Sequence, residues 1–115
     1  MSAHYRVTFN AANNEDLQQG FALTDQDGVP ISLAQTQLRM ALADLSGTER
    51  LEASTQNGHV VITSESGGQF ELLIPASQMA TLPEGIYRHD MILTTASATR
   101  RIWTGTLALV EGVTQ

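Results

Sequence analysis

Apolar residues in this chain recur at every second position in short bursts, and turn-forming residues separate most of the bursts. Successive side chains of a strand point to opposite faces, so a period of two marks one buried and one wetted face. Tyr5, Val7 and Phe9 alternate with His4, Arg6 and Thr8. A polar loop is expected from Asn10 to Asp16, after which Leu17, Gln19, Phe21 and Leu23 share a face. Asp25-Gln26-Asp27-Gly28 reads as a turn, because Asp tolerates turn geometry and Gly supplies a positive φ. Pro30 cannot donate to a ladder, which makes its surroundings an edge or a loop.

The second half repeats this grammar. Leu51 and Ala53 suggest a short strand. Asn57-Gly58 is a strong hairpin dipeptide and leads into the β-branched run Val60-Val61-Ile62-Thr63. Ser66-Gly67-Gly68 turns the chain, and Phe70, Leu72 and Ile74 then alternate with Gln69, Glu71 and Leu73 up to Pro75. Residues 76–80 can form one helical turn before Pro83-Glu84-Gly85. Tyr87, His89, Met91 and Leu93 share one face of the next segment, opposite Arg88 and Asp90. In the last segment Trp103, Leu107 and Leu109 share a face, with Arg101 at its start. Gly105 between them signals a bulge or a close backbone approach.

Residues 32–45 are the ambiguous stretch. Leu38, Ala41, Leu42 and Leu45 have helical spacing, with Ser32 as a cap, whereas Leu38, Met40 and Leu42 alternate as in a strand. The reading adopted is a strand over Leu38 to Leu42, because an isolated helix would need a packing face of its own.

Seven or eight short strands, too close together for crossover helices, imply an all-β domain with mostly antiparallel pairing. A two-sheet sandwich is the first expectation and a small closed barrel the second. With 115 residues, the chain is expected to form a single domain over 1–115. A domain of this size buries roughly two-thirds of the surface its unfolded chain exposes, enough for one core without disulfides. There is no Cys, which removes thiolate chemistry and Cys metal sites and suits a reducing compartment.

Charge narrows the partners. The net charge is -6 and every basic residue is Arg. An acidic domain without a basic run is a poor ligand for a phosphate backbone, so no nucleic acid is expected. No window approaches the roughly 20 apolar residues of a membrane span, and the first residues lack a signal-peptide pattern. A soluble protein made in the cytoplasm is expected, with no membrane partner.

No pattern of residues carries an obvious chemistry. Among His4, His59 and His89, none has a second His or a carboxylate at a ligand spacing that strands support. His89 and Asp90 are adjacent in a strand and should point to opposite faces. Asp25 and Asp27 flank a turn but lack the further oxygen ligands of a calcium loop. Ser64, Ser66 and Gly67 lack the Gly-x-Ser-x-Gly elbow, and without Lys there is no Walker-type phosphate loop. Trp103 and Tyr87 could form a sugar-stacking platform, but both lie on apolar strand faces and read better as core. The expectation is therefore no catalytic, cofactor or metal site and no enzyme activity, with a carbohydrate-binding module as the alternative function.

Several stretches, taken in order, carry a resemblance. They are Phe21-Ala22-Leu23-Thr24-Asp25-Gln26-Asp27-Gly28-Val29-Pro30-Ile31-Ser32-Leu33 and Leu38-Arg39-Met40-Ala41-Leu42. Gly68-Gln69-Phe70-Glu71-Leu72-Leu73-Ile74-Pro75-Ala76 and Leu82-Pro83-Glu84-Gly85-Ile86-Tyr87-Arg88-His89-Asp90 follow. Arg101-Ile102-Trp103-Thr104-Gly105-Thr106-Leu107 and Val113-Thr114 close the chain. From about Leu17 onward, the chain resembles small phage and prophage β-sandwich virion proteins, in particular the immunoglobulin-like N-terminal domain of upper baseplate proteins. The resemblance implies an immunoglobulin-like antiparallel sandwich. It also implies a non-enzymatic building block of a tail, baseplate or head surface, located in the virion. Such a protein contacts other virion proteins and forms a homo-oligomer in the assembled particle.

The two late strands, joined by a short polar turn, should pair as a hairpin. Tyr87, Met91, Trp103 and Leu107 would then meet between the sheets. Truncating a buried Trp costs about 3–5 kcal/mol, out of a total of about 5–15 for a small domain. Trp103→Ala is expected to leave the domain mostly unfolded or aggregated. Thermal melts followed by circular dichroism check this, and a midpoint near wild type would instead place Trp103 on the surface.

Overall fold

The computed structural model describes residues 5–112, and His4 and Val113-Thr114 lie outside that range. The described elements are β1 (Tyr5–Ala12), β2 (Leu17–Ala22), β3 (Gln37–Asp44), β4 (Glu49–Ser54), β5 (Val60–Ser64), β6 (Gln69–Ile74), α1 (Ala76–Met79), β7 (Gly85–Thr94) and β8 (Thr99–Val110). Five strands form one sheet in the order β1-β8-β7-β3-β4, and three form another in the order β2-β6-β5. Inward residues of both sheets make one core, in which Leu33, Leu38, Met40, Phe70, Leu72 and Met91 are among the buried side chains. This is an immunoglobulin-like β-sandwich, the first of the two expected architectures.

Residues 32–45 resolve in favour of the strand. β3 lies between β7 and β4 in the larger sheet, and Leu38, Met40 and Leu42 are buried on its inner face. Helix propensity, at most tenths of a kcal/mol per residue, yields to the burial of three large side chains and two flanking ladders. The hairpin to β4 is closed by Asp44. Its carboxylate accepts from the backbone N–H of Ser46 and Thr48, each at 3.0 Å, and from the Ser46 hydroxyl. Arg50 pairs with its other oxygen at 2.8 Å. The Ser46 hydroxyl, then Arg50, hold this carboxyl well below the usual carboxylate range.

The structure corrects several expectations. The loop expected from Asn10 does not begin there, since β1 continues to Ala12 with Ala11 buried. Asn57-Gly58 does not close a hairpin either. β4 is an edge of the five-stranded sheet and β5 an edge of the three-stranded one, so this turn carries the chain between layers. Asn57 organises the crossing by accepting from the N–H of Ser54 and His59 and donating to the Glu52 carbonyl. Gly58 has φ 82°. Only Gly58 of the pair takes a positive φ, and the dipeptide serves a corner here as it would a hairpin.

β7 and β8 pair as the expected hairpin, with Met91 opposite Trp103 and Tyr87 opposite Leu107. All four side chains are buried. The Tyr87 hydroxyl donates to the Pro83 carbonyl at the corner leading into β7, the tyrosine corner of immunoglobulin-like sandwiches. A register shift sits opposite Met91 and Ile92, where Ile102 is the extra residue. The bulge therefore lies at Ile102 and not at Gly105, and it turns Arg101 to the outer face although Arg101 shares the parity of Trp103.

β1 departs from the antiparallel expectation. It runs parallel to β8, with Val7 opposite Gly105 and Phe9 opposite Leu107. Gly105 is where the two backbones close up, since a Cβ there would overlap the Val7 carbonyl oxygen and also crowd the His89 ring at 3.0 Å. Gly105→Ala is therefore expected to push β1 off β8. Overpacking of this kind costs about 1–3 kcal/mol, a fall of very roughly 4–20 °C in melting temperature. Amide hydrogen exchange should show faster exchange in β1 than in β3. Equal loss of protection in both strands, or none, would contradict this account of Gly105.

Candidate functional site

Trp103 is the hinge point of the interior. It projects from β8 and lies 4.6 Å from Phe21 of β2, 6.0 Å from Phe70 of β6 and 6.4 Å from Phe9 of β1, centroid to centroid. The indole thus spans both sheets and is only 1% exposed. Its N–H donates to His89 Nδ1 at 3.1 Å. Nδ1 must then be unprotonated, so Nε2 carries the hydrogen and donates to the Thr106 carbonyl at 3.1 Å. Burial pushes the His89 pKa below its ordinary 6.5, against smaller raising effects from the Thr106 carbonyl, Asp90 and the Val7 backbone. A proton on Nδ1 would set two donors against each other. His89 is therefore a structural acceptor.

His89 faces inward and is 4% exposed, whereas Asp90 faces outward and pairs with Arg101 at 3.3 Å, so strand alternation separates the two as expected. His59 sits after the inter-sheet corner, where its N–H donates to Asn57 Oδ1 at 3.0 Å. One Asp25 oxygen accepts from the N–H of Asp27 and Val29, so the turn itself uses that carboxylate. Ser64 accepts from the Gly67 N–H within the β5–β6 turn. Among the described residues, no three His, Cys, Asp or Glu side chains gather in a way that could hold a metal. Trp103 and Tyr87 are both interior, so neither forms a platform for a sugar.

The accessible feature is the outer face of the five-stranded sheet. Its register sets Arg6, Thr104, Asp90 and Ala41 in one row across β1, β8, β7 and β3. Thr8, Thr106, Arg88 and Ala43 form the next. Small side chains on β3 and β8 leave a hollow of about 340 Å³ between Ala41, Ala43, Arg88, Asp90, Arg101 and Thr104. His89 and Gly105 contribute to its floor from the inner side. Beside the hollow lies an apolar stretch in which Ile86 (48% exposed) faces Ala108, with Val110 (58%) farther along β8. Leu45 (62%), just past β3, completes it, and its carbonyl accepts from Arg88. At the β4 edge, Arg39 is held by Glu49 at 2.9 Å and by Glu52 at 3.0 Å. The sequence signalled the outward parity of Arg88 and Asp90, but not the hollow, which depends on which strands lie side by side.

No family model matches the chain, and no curated protein matches it in sequence. Among solved structures it is similar to one from a photo-crosslinking study of multimeric cell-adhesive interactions of VGSC beta subunits. The TM-score is 0.51 at 9% identity, covering 93% of each chain. This likeness is one of fold and supports the immunoglobulin-like sandwich. Weaker likenesses are to CopC from Methylosinus trichosporium OB3b (TM-score 0.44, 14% identity, 98% of this chain and 89% of that one) and to the periplasmic chaperone SfaE (0.38, 14%, 96% and 56%).

The His89 contact makes a signed prediction. Its pKa is lower folded than unfolded, so the unfolded chain binds the extra proton first as pH falls. The contribution of neutral His89 is complete above pH 6.5 and declines below it, until the folded-state pKa is reached. Within that window the slope is up to about 1.4 kcal/mol per pH unit. Urea melts of wild type and His89→Leu between pH 5 and 8 should show the slope flattened in the variant. Equal slopes in the two proteins would remove His89 from this role.

Proposed function

We propose that this chain is a non-enzymatic structural component of a bacteriophage particle, in the tail, baseplate or head surface. It is made in the host cytoplasm and works through protein–protein contacts, as a homo-oligomer with other virion proteins in the assembled particle. The virion assignment is supported by the ordered sequence resemblance from Leu17 onward. The mode of action is supported by the outer face of the large sheet. Leu45, Ile86 and Val110 expose apolar surface there next to the arginine-lined hollow. An apolar centre beside Arg side chains is the composition that protein interfaces favour. The carbohydrate-binding alternative required an exposed aromatic platform, and the two aromatics considered for it are committed to the core.

Immunogold labelling of purified particles with an antibody to this chain is expected to decorate one structural feature of the virion. Unlabelled particles would sink the assignment. Ile86→Glu and Val110→Glu, both at exposed positions, should melt within a few degrees of wild type yet reduce incorporation into particles. Full incorporation of both variants would move the contact surface elsewhere.

A further inference from the structure

We infer that the hollow on the outer face of the five-stranded sheet is a docking site for a carboxylate-rich segment of a partner protein. The inference rests on the reading of this chain as a protein-contact module and adds the chemistry of what it contacts. The chain carries six Arg against twelve Asp and Glu, with a net charge of -6. Two of the six are held by carboxylates of their own, Arg39 by Glu49 and Glu52 and Arg50 by Asp44. Arg6, Arg88 and Arg101 all face outward around the Thr104–Asp90 row. Among the described residues, no carboxylate pairs with Arg6 or Arg88. Across the outer face Arg6, Arg39, Arg88 and Arg101 stand against Asp90, Glu49 and Glu52, a local +1 in an acidic protein, and within the hollow itself Arg88 and Arg101 flank one carboxylate, Asp90.

Shape points the same way. Ala41, Ala43 and Thr104 are short enough to let an incoming side chain reach between the flanking guanidiniums. A guanidinium binds a carboxylate through paired N–H donors, and it loses less on desolvation than an ammonium. Arg101 already holds Asp90 at 3.3 Å, so the site contains an internal carboxylate that an incoming one must compete with. Asp90 thus becomes a restraint on the site, and removing its charge should improve binding. Were Asp90 merely the structural partner of Arg101, its loss would not help.

The test uses the full chain, fluorescein-labelled poly-L-glutamate as probe, and fluorescence anisotropy at low salt. Arg88→Glu with Arg101→Glu is expected to weaken binding by about tenfold or more, and Asp90→Asn to tighten it about fivefold, the effect of one unit charge near 4 Å in water. Arg100→Glu, one residue along but opposite inward-facing Leu93, makes the same two-unit charge change as Arg88→Glu or Arg101→Glu alone and should have a smaller effect than either of these single variants. Rising salt should weaken binding by wild type throughout. Amide shifts in a titration should concentrate at Ala41, Ala43 and Thr104. The substituted arginines are exposed and Asp90 is half-buried, and melting curves confirm that the variants are folded. The inference is overturned by no binding, by an Arg100→Glu effect as large as that of Arg88→Glu or Arg101→Glu alone, by weaker binding of Asp90→Asn, or by shifts elsewhere. Tighter binding of a single-stranded oligonucleotide of equal charge would also overturn it, since that would make the ligand a phosphate. Unlabelled virions alongside poly-L-glutamate binding at the hollow would remove the phage assignment and leave the site. Labelled virions that accept the double Arg variant normally would do the reverse.

Discussion

The sandwich depends on burying one indole N–H without leaving it unsatisfied. Trp103 supplies the largest apolar surface in the core and touches rings from both sheets, so the contact between layers runs through it. A buried donor without an acceptor costs about 1–3 kcal/mol, a large fraction of a small domain's stability. His89 meets that need from the adjacent strand with one ring nitrogen and ties its other nitrogen to the Thr106 carbonyl. Two strands, β7 and β8, are thereby pinned in register by side chains as well as by their ladder. The close approach of β1 at Gly105 follows from the same arrangement, since a side chain there would meet the Val7 carbonyl and crowd the His89 ring.

Most of the strands were legible because each follows from local alternation. Phe70, Leu72 and Ile74 needed only a wet side and a dry side to declare β6. The β3 segment was legible only through its context, since its Leu and Ala spacing satisfies a helix as well. Apart from the β7–β8 hairpin, which its short turn announced, the partners of the strands were not legible. Nothing near Asn57-Gly58 reveals that the next strand joins the other sheet, and nothing near Tyr5 announces a parallel neighbour about a hundred residues on. These choices are made by which faces bury the most surface together, a property of the whole chain.

The outer face shows the same division. Alternation assigns Arg88 outward correctly, but it assigns Arg101 inward with Trp103, because one extra residue at Ile102 reverses the parity between them. A bulge of this kind has no signature in the residues that form it. Nor does a hollow, which exists only once the small side chains of β3 and β8 stand on either side of β7. The His89–Trp103 contact was equally hidden. The sequence marks both as inward, yet only the register brings the imidazole to the indole nitrogen.

The parallel pairing of β1 with β8 also sets the order in which the molecule can be built. The Gly112 N–H donates to the Asn13 side chain, across 99 residues of sequence, and the Asn13 N–H donates to the Val110 carbonyl. On the ribosome, β1 emerges first and has no ladder partner until β8 has left the exit tunnel. Until then the inner residues of β1, Phe9 and Ala11, have no sheet to lie on, while hairpins such as β3–β4 and β5–β6 close locally. Contacts between distant parts of a chain carry the largest closure entropy and form late. The β1 edge of the large sheet can therefore close only once β8, far along the chain, is also present.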